Sequence, residues 1–200
     1  LYRDCRIDRI WEGTNEINRQ IITGHIMKKA LMEELPIQGA IREIEQYMNN
    51  GKLETDSKIL LAESNVVETA KRLALFLLDE GLCEFGQDLK HQQQIADILA
   101  NIFMDIYVAE STILRARKML AISSKDKCVE YIAKIFVAEM SQRMIPDAEK
   151  ALKAIYNGDL SPVIHEKLNS FRDRMYLATN TLGLKTKVAE YAYSKNAYPY

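Results

Sequence analysis

Glycine and proline are scarce in this sequence, eight and four in 200 residues. Turn-rich β architectures consume more of both, so the shortage points to long, uninterrupted helices. Cysteine is scarcer still. Cys5, Cys83 and Cys128 form an odd, widely separated trio, which argues against a disulfide framework or a thiolate metal cluster and for reduced thiols in a cytoplasmic setting. An excess charge of one sign is also missing. The 27 Lys and Arg nearly balance 28 Asp and Glu, leaving a formal net charge of -1, so no global positive field draws in nucleic acid. No apolar run approaches the roughly 18 residues of a membrane span. No candidate helix pairs a strong Lys/Arg face with bulky aromatics, so membrane contact is not expected. No basic segment followed by an apolar stretch opens the chain, as a secretory signal would. Leu1 instead stands in the middle of a charged motif, which points to a segment of a longer protein.

What is present suits a soluble globular fold: 48% hydrophobic and 28% charged residues, in a chain long enough for one large domain or two small ones. Residues 1 to 13 read as irregular or extended, and Gly13 ends them. Thr14 is a good helix N-cap with Glu16 in the first turn. Ile17, Ile21, Met27, Leu31 and Leu35 follow at helical spacing until Pro36. Ile37, Ile41, Ile44 and Met48 form a second, shorter stripe, closed by Asn49-Asn50-Gly51.

Four longer helical patterns come next. The first, about 56 to 81, carries Leu60, Val66, Val67, Ala70, Leu73, Leu77 and Leu78. The second, about 88 to 121, carries Ile95, Leu99, Ile102, Ile106, Ala109, Ile113 and Leu120 in steps of three and four. The third, about 124 to 157, carries Val129, Ala133, Phe136, Met140, Met144, Ala151 and Ile155. Ser123 and Asp126 suit its start and Asn157-Gly158 its end, while Pro146 inside it predicts a kink or break near Ile145. The fourth opens with Ser161-Pro162 and presents Val163, Ile164, Leu168, Phe171, Met175 and Ala178. After Gly183 a short amphipathic stretch, Val188 to Tyr193, leads into a Tyr-rich tail. The expected fold class is therefore all-α, an antiparallel bundle of four long helices.

The chemistry-bearing stretch is Tyr2-Arg3-Asp4-Cys5-Arg6-Ile7-Asp8-Arg9-Ile10-Trp11-Glu12-Gly13-Thr14-Asn15-Glu16-Ile17-Asn18-Arg19. It sets a carboxylate, Glu12, directly before a glycine and a helix start. Gly13 lets a ligand approach the backbone, and the free N–H groups of the first turn suit an anionic or hydrogen-bond-accepting group. Beside apolar Ile10 and Trp11, a carboxylate can reach the range useful to a general base. From the residues alone two readings stay open, a ligand site or a surface Glu ahead of an ordinary cap.

The pattern of Arg-Asp, then Ile-aromatic-Glu-Gly-Thr, then Asn-Glu-Ile and Arg resembles the C-terminal signature of acyl-CoA dehydrogenases, closely over residues 2 to 19. The rest resembles more loosely the helical C-terminal extension of the very-long-chain branch. The resemblance implies that residues 1-50 close the family's C-terminal helical domain and that 51-200 are the extension. It implies that Glu12 is the base removing the α proton of an acyl-CoA thioester, while hydride leaves the β carbon for FAD to give a trans-2-enoyl-CoA. Gly13 and Trp11 then lie against substrate, with Trp11 standing where the family often has Tyr or Phe. Thr14, Asn15 and Glu16 match the turn that touches FAD. Further implications are an electron-transfer flavoprotein as acceptor, a homodimer or homotetramer, and a role in fatty acid β-oxidation. The domains that hold most of the flavin lie outside residues 1-200, so this polypeptide by itself is expected to retain no FAD and to be inactive. A competing reading makes the chain a stand-alone helical interaction module with a vestigial motif.

Other residues carry plainer expectations. His25, His91 and His165 are far apart with no carboxylate at ligand spacing, and the Glu-x-x-His pairing of di-metal bundles does not occur around Glu63, Glu68, Glu110 or Glu139, so no metal site is expected. The eight Met read as core fillers. Arg3, Asp4 and Arg19 read as ion-pair and interface residues. The tail with Tyr191, Tyr193, Tyr198 and Tyr200 suits either docking on a neighbouring subunit or fraying.

Overall fold

The structure, a computed structural model, describes residues 3–50, 58–122 and 127–195. Among them there are helices and no strands. In order they are α1 (Asn15–Leu31), α2 (Ile37–Arg42), α3 (Ile44–Asn50), α4 (Leu61–Phe85), α5 (Gln93–Ile122), α6 (Cys128–Ile155), α7 (Pro162–Met175) and α8 (Thr181–Lys195). Short 3₁₀ segments at Asp4–Arg9 and Gly86–His91 precede α1 and α5. The first corrects the expectation of an irregular or extended entry, since Asp4–Arg9 is helical and Ile10 and Trp11 both donate backbone N–H to the Ile7 carbonyl.

The core is the bundle of α4 to α7. Both α4 and α6 touch each of the others, α8 lies on α6, α1 lies on α5, and α2 lies on α4. Most periodic residues of these four helices point inward as their spacing requires; Val163, expected on the inner face of α7, is exposed instead. Leu73, Leu77 and Leu78 of α4, Leu99 and Ile102 of α5, Met140, Met144 and Leu152 of α6, and Leu168, Phe171 and Met175 of α7 are all buried. Phe76 and Phe171 stack at 5.7 Å between ring centres, joining α4 to α7. Fully buried alanines (Ala70, Ala109, Ala133, Ala148, Ala151) let the helix backbones approach closely. Gly81 does the same where α4 meets the 3₁₀ turn: a Cβ there would stand 3.1 Å from both Leu89 methyl carbons.

Several boundaries differ from the expectation, each for a local reason. Leu60 is not inside the helix but caps it, with φ 55 in the left-handed region. That costs roughly 1–2 kcal/mol for a residue with a Cβ. Burial of its side chain, 5% exposed, returns a comparable amount. Arg117 clamps this turn, donating from Nε to the Ile59 carbonyl (3.0 Å) and from Nη2 to Ser64 Oγ (2.7 Å). Pro146 does not break α6, which runs from Cys128 through to Ile155. Pro146 and Gln142, whose carbonyl loses its donor, both face solvent, so water compensates, while Met144, Ile145 and Ala148 hold the opposite face in the core.

Near the C-terminus, α7 stops at Met175, and Ala178 falls in the irregular connection that follows. Gly183 then lies within α8, where its N–H takes the Asn180 side chain at 3.0 Å. The stripe at Ile37–Met48 divides at Glu43 into α2 and α3. Gly51, Ser123, Asp126, Tyr198 and Tyr200 lie outside the described residues.

A charged lattice ties α3, α4, α5 and α7 together at the surface of the core. Lys71 bridges Glu68 (2.9 Å) and Glu110 (2.5 Å), and Arg72 bonds Glu68 at 2.9 Å. The Arg72 guanidinium stacks over Tyr47 at 3.7 Å, and Arg174 approaches the same ring at 5.6 Å. Burial pushes the Glu68 carboxyl up, but hydrogen bonds from Lys71 and Arg72 outweigh it and hold the group below the ordinary carboxylate range.

Two outcomes follow from this packing. Leu77→Ala, at a fully buried site, should cost about 3 kcal/mol in urea unfolding with an unchanged slope. Because Glu68 titrates lower folded than unfolded, its contribution is complete above the ordinary carboxylate pKa of about 4.3 and disappears as pH falls through the depressed folded value. Glu68→Gln should therefore weaken the protein by roughly 0.5–1 kcal/mol at pH 7. That gap should close as the pH of the unfolding titration is lowered below about 4.

Candidate functional site

The stretch singled out from sequence folds as a tight reversal leading into α1. Glu12 has φ 54 and Gly13 φ 96, two consecutive left-handed residues. Glycine adopts this freely; glutamate does not. Thr14 follows in extended conformation as the N-cap of α1, its hydroxyl accepting the Ile17 N–H at 3.3 Å. Asn15 is the first residue of the helix and Glu16 the second. The Glu16 carboxyl is held below the usual range by its own backbone N–H first, then by the Thr14 hydroxyl and by Arg19. The positive end of the helix thus already attracts negative charge.

Glu12 is exposed, as is Trp11 at 53%, whose indole N–H donates to Asp8 Oδ1 at 3.2 Å. Gly13, Thr14 and Asn15 are half-buried. The six candidate residues are thus contiguous on the turn and first turn of α1. A groove of about 630 Å³ between α2, α3, α4 and α7 is lined by Ile41, Met48, Phe76, Val163 and Phe171 among others, and takes none of the residues from 11 to 18.

How α1 is mounted was not legible in the sequence. The helix fastens to α5 through its polar side. Arg19 donates from Nε to Asn101 Oδ1 (2.7 Å) and lies 3.4 Å from Asp97. Gln20 donates to the Gln93 carbonyl at 2.9 Å, and the fully buried Thr23 hydroxyl donates to the Ala96 carbonyl at 2.7 Å. Met27 and Ala30 complete the buried face. Ile17 and Ile21, four apart on one face, turn outward at 53% and 61% exposure, and Leu31, Met32 and Leu35 are exposed too. The expected apolar stripe is therefore split, with Met27 inside and the rest outside. Arg19 serves as an ion-pair residue. Asn18, which the sequence reading did not single out, also touches the turn: its amide nitrogen donates to the Gly13 carbonyl at 3.0 Å.

Among the described residues no group of three or more His, Cys, Asp or Glu is arranged to hold a metal ion, and no helix is long and apolar enough to cross a membrane.

Comparison with known proteins adds to this geometry. The family model described as acyl-CoA dehydrogenase, C-terminal domain, matches residues 69–169, inside the α4–α7 bundle. A probable acyl-CoA dehydrogenase of Bacillus subtilis (strain 168) is 35% identical over 161 residues, covering 79% of this chain. A crystal structure of an acyl-CoA dehydrogenase from Bacillus anthracis, complexed with FAD, superposes on the whole chain with a TM-score of 0.87 at 26% identity. The chain spans 27% of the length of the first relative and 34% of the second. On the family match and these similarities, the chain belongs to the acyl-CoA dehydrogenase family.

Proposed function

We propose that residues 1–50 carry the catalytic base of an FAD-dependent acyl-CoA dehydrogenase and that residues 51–200 are its helical extension. The observation that carries this reading is the Glu12–Gly13 turn: an exposed carboxylate on a left-handed reversal, at the positive end of a capped helix whose outer face is apolar and uncovered. The reaction is α,β-dehydrogenation of an acyl-CoA thioester to the trans-2-enoyl-CoA. Glu12 removes the α proton, and the β hydrogen departs with its electron pair. FAD, when bound, supplies the acceptor for that hydride.

The residues present fit one edge of such a site. Thr14, Asn15 and Glu16 surround the N-terminal N–H groups of α1, which suit hydrogen-bond-accepting atoms of a flavin. Gly13, without a Cβ, lets substrate lie against the backbone. Trp11 offers an aromatic wall. Glu12 and Gly13 stand on a turn tied to a rigid bundle, which is the kind of mounting a base needs to keep its geometry.

The rest of the pocket must come from elsewhere, because Ile17, Ile21 and Trp11 face solvent in this chain. Exposed apolar surface of this kind marks a contact face, and the FAD-complexed relative is about three times longer than the segment it shares with this chain. The isolated 200-residue chain then binds no FAD and has no activity. The intact enzyme is a homo-oligomer, passes electrons to an electron-transfer flavoprotein, serves fatty acid β-oxidation and works in the cytoplasm.

The test uses the full-length protein. Glu12→Gln should leave flavin absorbance and acyl-CoA affinity in place while lowering turnover by at least 10³-fold, within the range lost when a general base is removed. A Glu12→Gln enzyme that still oxidises acyl-CoA at near wild-type rates would remove the assigned base.

A further inference from the structure

The turn that carries Glu12 needs more support than its own residues supply. Two consecutive residues sit at positive φ, 54 for Glu12 and 96 for Gly13, and the glutamate pays roughly 1–2 kcal/mol for it. The helix below contributes ordinary bonds: Asn18 N–H donates to the Thr14 carbonyl at 2.9 Å, and Ile17 N–H to the Thr14 hydroxyl at 3.3 Å. Neither reaches past Thr14. One bond does, from Asn18 Nδ2 to the Gly13 carbonyl at 3.0 Å. The amide also fills the space that a side chain on Gly13 would need, since a Cβ there would stand 2.8 Å from Asn18 Oδ1.

We propose that Asn18 is a positioning residue for Glu12, holding the Gly13 peptide so that the carboxylate keeps one direction. The mechanism is geometric. Gly13 is the freest rotor between the helix and Glu12. Pinning its carbonyl fixes ψ at that residue and leaves only φ of Gly13 and ψ of Glu12 between the helix and the Glu12 Cα–Cβ vector. The acceptor is a carbonyl, so the donor must be the amide nitrogen, and no protonation change enters. Because the bond comes from the fourth residue of α1, the direction of Glu12 is slaved to the helix and, through Arg19, Gln20 and Thr23, to α5.

This inference rests on Glu12 being the base, so its test includes Glu12→Gln of the full-length flavoenzyme in parallel. Asn18→Ala should lower kcat by about tenfold, as a misdirected group does, with KM within twofold and flavin content unchanged. The isotope effect with α-deuterated acyl-CoA should rise, because proton removal becomes slower relative to other steps. Asn18→Gln, which keeps an amide donor on a longer arm, should recover kcat to within about threefold of wild type. In the 200-residue chain, Asn18→Ala should shift the Gly13 carbonyl carbon resonance while leaving the α5 amide signals in place. An Asn18→Ala enzyme with kcat within twofold of wild type, or one whose activity falls only in proportion to lost flavin, overturns the positioning role. An active Glu12→Gln enzyme instead overturns the reading of Glu12 itself, whatever Asn18 does.

Discussion

The arrangement depends on a seam of polar contacts between α1 and α5. Three successive donors on one side of α1, Arg19, Gln20 and Thr23, meet acceptors on α5 and at its N-terminus. The Thr23 hydroxyl is fully buried, so its bond to the Ala96 carbonyl cannot be exchanged for water without opening the joint. Hydrogen bonds of this kind are directional. They fix the rotation of α1 about its own axis in a way that greasy packing would not. That rotation decides which face of α1 looks away from the bundle, and therefore that Ile17 and Ile21 do.

The bundle behind the seam is built for rigidity. Its long helices meet through buried leucines and methionines and through alanines that bring backbones close. The Glu68–Lys71–Arg72–Glu110 lattice and the Tyr47 ring between Arg72 and Arg174 add constraints where α3, α4, α5 and α7 converge. Exposed ion pairs add little each, but this group shares partners and half-buried stems, so the elements cannot slide independently. On the proposed reading of Glu12, the turn benefits from that stiffness, since α5 carries the acceptors that hold α1.

Much of this was legible in the residues. Steps of three and four in Leu73–Leu77 and in Ile95–Leu99–Ile102 define buried faces whatever covers them, and Thr14 and Ser161-Pro162 mark helix starts by local chemistry alone. What stayed hidden needed tertiary information. Periodicity says that Ile17 and Ile21 share a face, but it says nothing about which body that face meets, and the polar residues between them won the contact with α5. Pro146 reads as a break because its own chemistry opposes a helix; only its position on the solvent side makes it tolerable. Leu60 reads as an interior helix residue because burial and helicity usually coincide, and here they separate. The role proposed for Glu12 came from resemblance, since a carboxylate before a capped helix is by itself an ordinary surface feature. The Asn18 bond across the turn had no signal in spacing at all.

The exposed apolar face and the exposed carboxylate are, on the proposed reading, two aspects of one requirement. In water a carboxylate is a feeble base for a carbon acid, because solvent stabilises its charge. It becomes effective when that solvent is removed and a fixed polar environment takes its place. In this chain the turn at Glu12 stands open, and the apolar residues around it, Ile10, Trp11, Ile17 and Ile21, are uncovered as well. Any body that covers those side chains excludes water from the same neighbourhood, so the hydrophobic burial that drives docking also dries the base. Association and activation then draw on one free-energy source. The helical segment can hold the turn in shape beforehand, through the seam and Asn18, without itself providing the reactive environment.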